Sequence, residues 1–171
     1  MQVGRRIGWY ALVRAMKPNL VIETGVHHGV GALVLASAIL RNQAFGVDGK
    51  YLGTDINPLA GELLPDSFDG IADVIIGDSL ETLRGLRNSR IDIFINDSDH
   101  SSSYELEEYD AIWPLLQANS IILGDNSHAT DSLRNFSEAK NRRFLFFKEE
   151  PADHFYHGAG IGFSIPSTFI M

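Results

Sequence analysis

The chain contains no cysteine. That excludes disulfide stapling, thiolate metal centres and thiol catalysis, so any metal must be held by Asp, Glu, Asn or His. Basic residues are also scarce: 14 Lys and Arg stand against 22 Asp and Glu, for a formal charge of -8. Such a balance repels phosphate backbones and argues against nonspecific nucleic-acid binding, which leaves a small molecule as the natural partner. No apolar run reaches membrane-spanning length. The segment Met1 to Met16 interleaves Arg5, Arg6 and Arg14 with apolar residues and has no signal-peptide core or small-residue cleavage site. A soluble cytoplasmic protein with no membrane partner is therefore expected. Repeats, low-complexity tracts and linkers are missing too, and 171 residues with 44% hydrophobic content suffice for a single domain over 1–171.

What is present is organised around Leu20-Val21-Ile22-Glu23-Thr24-Gly25-Val26-His27-His28-Gly29-Val30-Gly31 and the Ala/Leu-rich segment from Ala32 to Leu40. The pattern reads as buried strand, tight turn and helix. Glycines allow positive φ and close approach to the main chain, and a helix start offers free N–H groups, so a ligand crevice is expected at the turn. An ordinary strand-to-helix turn without a ligand is the alternative.

Before this stretch, apolar residues from Gln2 to Met16 recur at helical spacing and stop ahead of Lys17-Pro18-Asn19. After it, strands are expected at Tyr51–Asp55, Ala72–Ile76, Ile91–Asn96 and Ser120–Gly124. Helices are expected from Ser79, as N-cap, to Leu86, from Ser102 to Leu116 with Leu106, Tyr109, Ile112, Trp113 and Leu116 on one face, and from Ala129 to Lys140. Arg143–Phe147 and Gly160–Ile165 have no helix between them and should pair antiparallel. Strands alternating with helices imply a parallel sheet covered on both faces, whose ligand sits beyond the strands' carboxyl ends. Glu23, Asp55, Asp78, Asp97 and Asp125 each fall at or just after the end of a different strand, so the fold gathers five carboxylates along one edge.

With these residues in view, the chain resembles the class I S-adenosylmethionine-dependent methyltransferases. Glu23-Thr24-Gly25-Val26-His27-His28-Gly29 is similar to the family's first motif, Asp55 to the acid that binds the ribose hydroxyls, and Gly77-Asp78-Ser79 to the segment along the adenine. The final pair of strands resembles the seventh strand that the family inserts between its fifth and sixth. The resemblance implies a Rossmann-like α/β three-layer sandwich, with a seven-stranded, mostly parallel sheet and one antiparallel strand near the C-terminus. It also implies cofactor contacts from Glu23, Gly25, Gly29, Asp55, Asp78, Ser79 and Asp97. A dinucleotide is a poorer match, because Gly25, Gly29 and Gly31 lack the Gly-x-Gly-x-x-Gly spacing that seats a pyrophosphate.

Within the class, Asp97 and the pair Asp125-Asn126 look like the cation ligands of catechol-type O-methyltransferases. That resemblance implies Mg²⁺, with Ca²⁺ or Mn²⁺ as alternatives, and a small hydroxylated acceptor. Asp97 and His100 are the candidate catalytic residues; His100 is read as the base that removes the acceptor proton, as a metal ligand, or as a structural cap. His128 has a weaker case, His27 and His28 matter through their backbone, and His154 and His157 fall in a late hairpin that would form a substrate lid. Without a long N-terminal extension the acceptor wall is open or completed by a second subunit, and a homodimer is a family-level expectation. The aromatic residues Phe144, Phe146, Phe147, Phe155 and Tyr156 would line an acceptor pocket or simply pack. Two rival readings are a metal-dependent hydrolase, suggested by Asp97-x-Asp99-His100 and Asp125-Asn126-x-His128, and a non-catalytic binding protein on the same fold.

Overall fold

The computed structural model describes residues 6–149 and 160–168. Helix α1 (Arg6–Met16) leads into β1 (Leu20–Thr24), α2 (Val30–Gln43), β2 (Lys50–Asp55) and β3 (Ala72–Ile76). Then follow α3 (Ser79–Gly85), β4 (Ile91–Asn96), α4 (Ser102–Ile112), β5 (Leu116–Gly124), α5 (Ser132–Ala139), β6 (Arg142–Phe147) and β7 (Ile161–Pro166). The seven strands form one sheet in the order β3-β2-β1-β4-β5-β7-β6, with β7 antiparallel to both neighbours and all other pairs parallel. The expected fold class is therefore the observed one. No described helix is long and apolar enough to cross a membrane.

Alternation along the strands builds two cores. Val21, Ile93, Ile95, Ile121 and Leu123 point to one face and meet Trp9 and Val13 of α1 and Leu35, Ala36 and Ile39 of α2. Ile22, Phe94 and Ile122 point to the other and meet Leu83, Tyr109, Ile112, Leu133 and Phe136 of α3, α4 and α5. The chain runs outward from β1 through β2 to β3, then returns to the other side of β1 for β4. The parallel strands thus diverge between β1 and β4, and a crevice opens at their carboxyl ends.

Four local expectations are corrected. Ser79 is not the cap of α3: Asp78 is, its side chain accepting the Glu81 N–H at 3.0 Å, because the Ser79 hydroxyl is turned to Glu108. Helix α4 stops at Ile112 instead of Leu116, since Pro114 cannot donate to the preceding turn; a 3₁₀ turn, Trp113–Leu115, leads directly into β5. Its buried face is also rotated. Glu105, Glu108, Tyr109 and Ile112 are buried, whereas Leu106 and Trp113 are each 37% exposed. Helix α5 starts at Ser132 because 126–130 is a turn in which the Ala129 and Thr130 N–H groups bond to Asn126 O. Gln2 to Arg5 of the first expected helix and the hairpin carrying His154, Phe155, Tyr156 and His157 lie outside the described residues.

Candidate functional site

At Gly25 the backbone takes φ +83°, and its N–H bonds to Thr54 O at 2.9 Å while Asp97 N–H bonds to Thr24 O at 2.9 Å. A Cβ here would overlap the Asp97 carbonyl, so only glycine lets β1 and β4 end side by side and leave the crevice clear. Gly29, at φ +91°, starts α2, and a Cβ on it would lie 2.9 Å from Gly61 Cα. The turn is braced from that side, Gly61 N–H reaching His27 O and Leu63 N–H reaching His28 O.

The crevice is a cavity of about 660 Å³. Gly25 and His27 line it from the β1 turn, Asp55 and Ile56 from the end of β2, Gly77, Asp78 and Ser79 from the end of β3, and Asp97 to His100 from the end of β4. Arg6 of α1 and Tyr104 of α4 complete it. Both oxygens of Asp55 are oriented by backbone donors, His27 N–H at 2.7 Å and Asn57 N–H at 2.8 Å, which leaves each a further lone pair for a ligand. Tyr104 donates to Asp78 Oδ2 at 3.0 Å.

Glu23 does not line the cavity. It is 1% exposed, lies beneath it against Gly31 and Trp9, and accepts the Tyr51 hydroxyl at 2.5 Å. Burial pushes its carboxyl up to about 7, against the opposing effects of the Tyr51 bond and the Arg6 charge. Gly29 lies behind the wall for the reason just given. Asp97 is held well above the ordinary carboxylate range, first by burial and then by the charges of Asp125 and Glu23, and it shares a hydrogen bond with Asp125. Arg6 Nη2 is 3.9 Å from Asp97 Oδ2, its guanidinium lies over the Trp9 ring, and its buried Nε has no hydrogen-bond partner among the described residues.

Asp125 and Asn126 are buried behind Asp97 and His100. The Asn126 Oδ1, expected on a cation, contacts His100 Nδ1 with one of its two lone pairs. Asp97, Asp125 and Asn126 lie together at the ends of β4 and β5, and among the described residues no group of three His, Asp or Glu side chains of the kind a two-metal hydrolase would need is found. His128 sits elsewhere, with Thr130, Arg134 and Lys148 around a separate hollow. Phe146 borders that hollow too, Phe147 stacks edge-on with Phe163, and Phe144 packs under Arg134, so none of the three faces the first cavity.

Sequence reasoning missed Arg6, Ile56, Tyr104 and Glu108. Ile56 had a usable signal: a large apolar residue directly after a strand-end acid, here 78% exposed beside the cavity. Glu108 had none, because its partners are dispersed along the chain.

The model of a methyltransferase-domain family matches residues 22–127, which include the Gly25 turn and both strand-end acid clusters. No curated protein matches the chain significantly. Solved structures with the same fold include an O-methyltransferase from Bacillus cereus in complex with S-adenosylhomocysteine, with 13% identity, 94% of this chain and 80% of that one covered, and a TM-score of 0.71. The O-methyltransferase TomG from Streptomyces achromogenes, involved in tomaymycin synthesis and in complex with S-adenosylmethionine, shows 14% identity over 95% and 79% of the two chains, with a TM-score of 0.74. The methyltransferase PaMTH1 from Podospora anserina, bound to S-adenosylhomocysteine, shows 18% identity over 95% and 78%, with a TM-score of 0.70. With the matched segment spanning well over half its length and the sheet order in agreement, the chain belongs to the methyltransferase-domain family, the class I S-adenosylmethionine-dependent group that its sequence resembles.

Proposed function

We propose that this protein transfers the methyl group of S-adenosylmethionine to a hydroxyl oxygen of a small acceptor. The observation that carries the reading is the acid-lined cavity at the β1/β4 divergence, where Asp55 is fixed by two backbone donors beside the cleared space at Gly25. The residues fit this cofactor: a wall of carboxylates suits a ligand with a sulfonium and an ammonium and disfavours phosphates. Asp55 would hold the ribose hydroxyls, Ile56 would cover an adenine face, and Asp78 with Ser79 would flank its edge. Among the described residues Arg6 is the one Lys or Arg on the wall.

Bound S-adenosylmethionine supplies a methyl carbon made electrophilic by the adjacent sulfonium. The protein's task is to position the acceptor and take its proton. We assign the second role to His100, which lines the cavity. Its Nδ1 donates to Asn126 Oδ1, which leaves Nε2 as the acceptor nitrogen of the neutral ring. Nε2 would take the proton of the acceptor hydroxyl, and the bound cofactor would supply the methyl carbon to the oxygen so deprotonated. Asp97, its carboxyl held up by burial and by the neighbouring Asp125 and Glu23, would face the acceptor from the cavity floor. Where a divalent cation assists, Asp97, Asp125 and the free lone pair of Asn126 Oδ1 would hold it, and it would polarise the acceptor hydroxyl.

Calorimetric titration of S-adenosylhomocysteine, run with Mg²⁺ and again with a chelator, tests this reading. Saturable binding in both runs is expected, followed by methylation of a hydroxylated acceptor in a screen. Binding in neither run would refute the cofactor assignment. A methylation rate that collapses with chelator would show that a cation assists.

A further inference from the structure

Glu108 lies in the middle of α4, fully buried, with four donors converging on its two oxygens. Oε2 accepts the Thr24 hydroxyl at 3.1 Å and the Asn96 amide N–H; Oε1 accepts the Ser98 hydroxyl at 2.8 Å and the Ser79 hydroxyl. Four donors fill the four lone-pair sites of an ionised carboxylate. Every donor is next in sequence to a residue of the cavity wall. Thr24 precedes Gly25, Asn96 and Ser98 flank Asp97, and Ser79, itself on the wall, follows Asp78.

The donors are themselves held. Asn96 is gripped from its other end, its Oδ1 accepting the Tyr109 hydroxyl at 3.2 Å. One helical turn before Glu108, Tyr104 bonds to Asp78 and sits 2.9 Å from Ser79 Oγ. Burying a carboxylate is costly, and an apolar residue, such as Ile112 one turn further on, would serve packing alone at lower cost. What an apolar residue cannot do is tie together the ends of β1 and β4 and the start of α3. A fully satisfied polar network does this with fixed directions.

We infer that Glu108 is the positioning residue of the cofactor cavity: it does not touch the ligand, and it sets the three wall segments in mutual register through Thr24, Ser79, Asn96 and Ser98. This rests on the reading of the cavity as the S-adenosylmethionine site.

The test compares Glu108→Gln, Glu108→Leu and Thr24→Val with the parent protein by S-adenosylhomocysteine calorimetry and thermal melting. Glu108→Gln keeps the volume but forces two of the hydroxyls to reverse. It is expected to bind about tenfold more weakly, with KM for the methyl donor rising more than kcat falls and a melting temperature close to the parent's. Glu108→Leu should bind at least a hundredfold more weakly, and Thr24→Val, which removes one donor, a few-fold more weakly. Ser137→Ala, which removes a buried hydroxyl bond within α5, is the stability control and should leave affinity unchanged. A Glu108→Gln protein binding within twofold of the parent would overturn the inference. If the Glu108 variants fail to fold, Thr24→Val decides, and parental affinity there overturns it. Failure of the parent itself to bind would instead refute the cofactor assignment.

Discussion

Glu23→Gln separates the electrostatics beneath the site from the packing of the fold. In the native chain the Glu23 carboxyl titrates at about 7, against an ordinary value of 4.5, chiefly because it is buried. Between those values the native state keeps a proton that the unfolded chain has released. Stability therefore falls as pH rises through this window; the loss is absent below about 4.5 and complete above about 7. The separation corresponds to about 3 kcal/mol. A glutamine can still accept the Tyr51 hydroxyl, and its own N–H₂ adds a cost of about 1 kcal/mol that does not vary with pH. Removing the charge also eases Asp97, whose carboxyl Glu23 helps to hold up, and this acts in the same direction. Urea unfolding of both proteins at pH 5 and pH 8, without cofactor, should show the variant gaining about 2 to 3 kcal/mol on the parent between the two. A difference that stays constant across the range, or shrinks, would refute the assignment of Glu23 as a buried, proton-holding acid.

Asp55→Ala removes the acceptor of two backbone N–H groups and the expected ribose contact, and should weaken S-adenosylhomocysteine binding at least tenfold by calorimetry; parental affinity would place the ribose elsewhere. Gly25→Ala combines φ +83° with overlap against the Asp97 carbonyl, so a loss of about 4 kcal/mol or more, or failure to fold, is expected. A melting temperature within two degrees or so of the parent's would contradict that geometry. His100→Gln should lower kcat about a hundredfold while cofactor affinity stays within a few-fold, and an unchanged kcat would remove His100 from proton transfer.

The sheet was legible because its strands are short apolar runs that end in acids, and parallel winding sends every such end to one edge. Asp55, Asp78 and Asp97 reach the cavity for that reason alone. Glu23 obeys the same rule but not its consequence. Alternation along β1 sends Glu23 under α1 and α2 and its neighbour Thr24 toward α4, so a strand-end position does not say which way a side chain turns. The face of α4 was misread because Leu106-x-x-Tyr109-x-x-Ile112-Trp113 and Glu105-x-x-Glu108-Tyr109-x-x-Ile112 are both helical stripes. The hydroxyls of Thr24, Ser79, Ser98 and Thr130 and the amide of Asn96, all outside the helix that uses them, make the acidic stripe the buried one. Arg6 was likewise hidden, since nothing local tells a helix-end arginine that it will close a cavity. The contact between the Asn126 amide oxygen and His100 was not legible either, since the two residues lie 26 positions apart.

The placement of β7 bears on how the protein comes into being. Although it is the last strand in sequence, β7 is internal in the sheet, hydrogen-bonded to β5 on one side and β6 on the other, with Ile161, Gly162 and Ser164 to Pro166 buried. During synthesis β5 therefore emerges with one edge unpaired, and β6 has no strand to dock on until about twenty more residues have followed. A nascent chain in that interval carries two open, apolar strand edges that invite pairing with other chains. The final strand acts as a latch, and shortening the chain ahead of it should yield aggregation instead of a smaller folded domain.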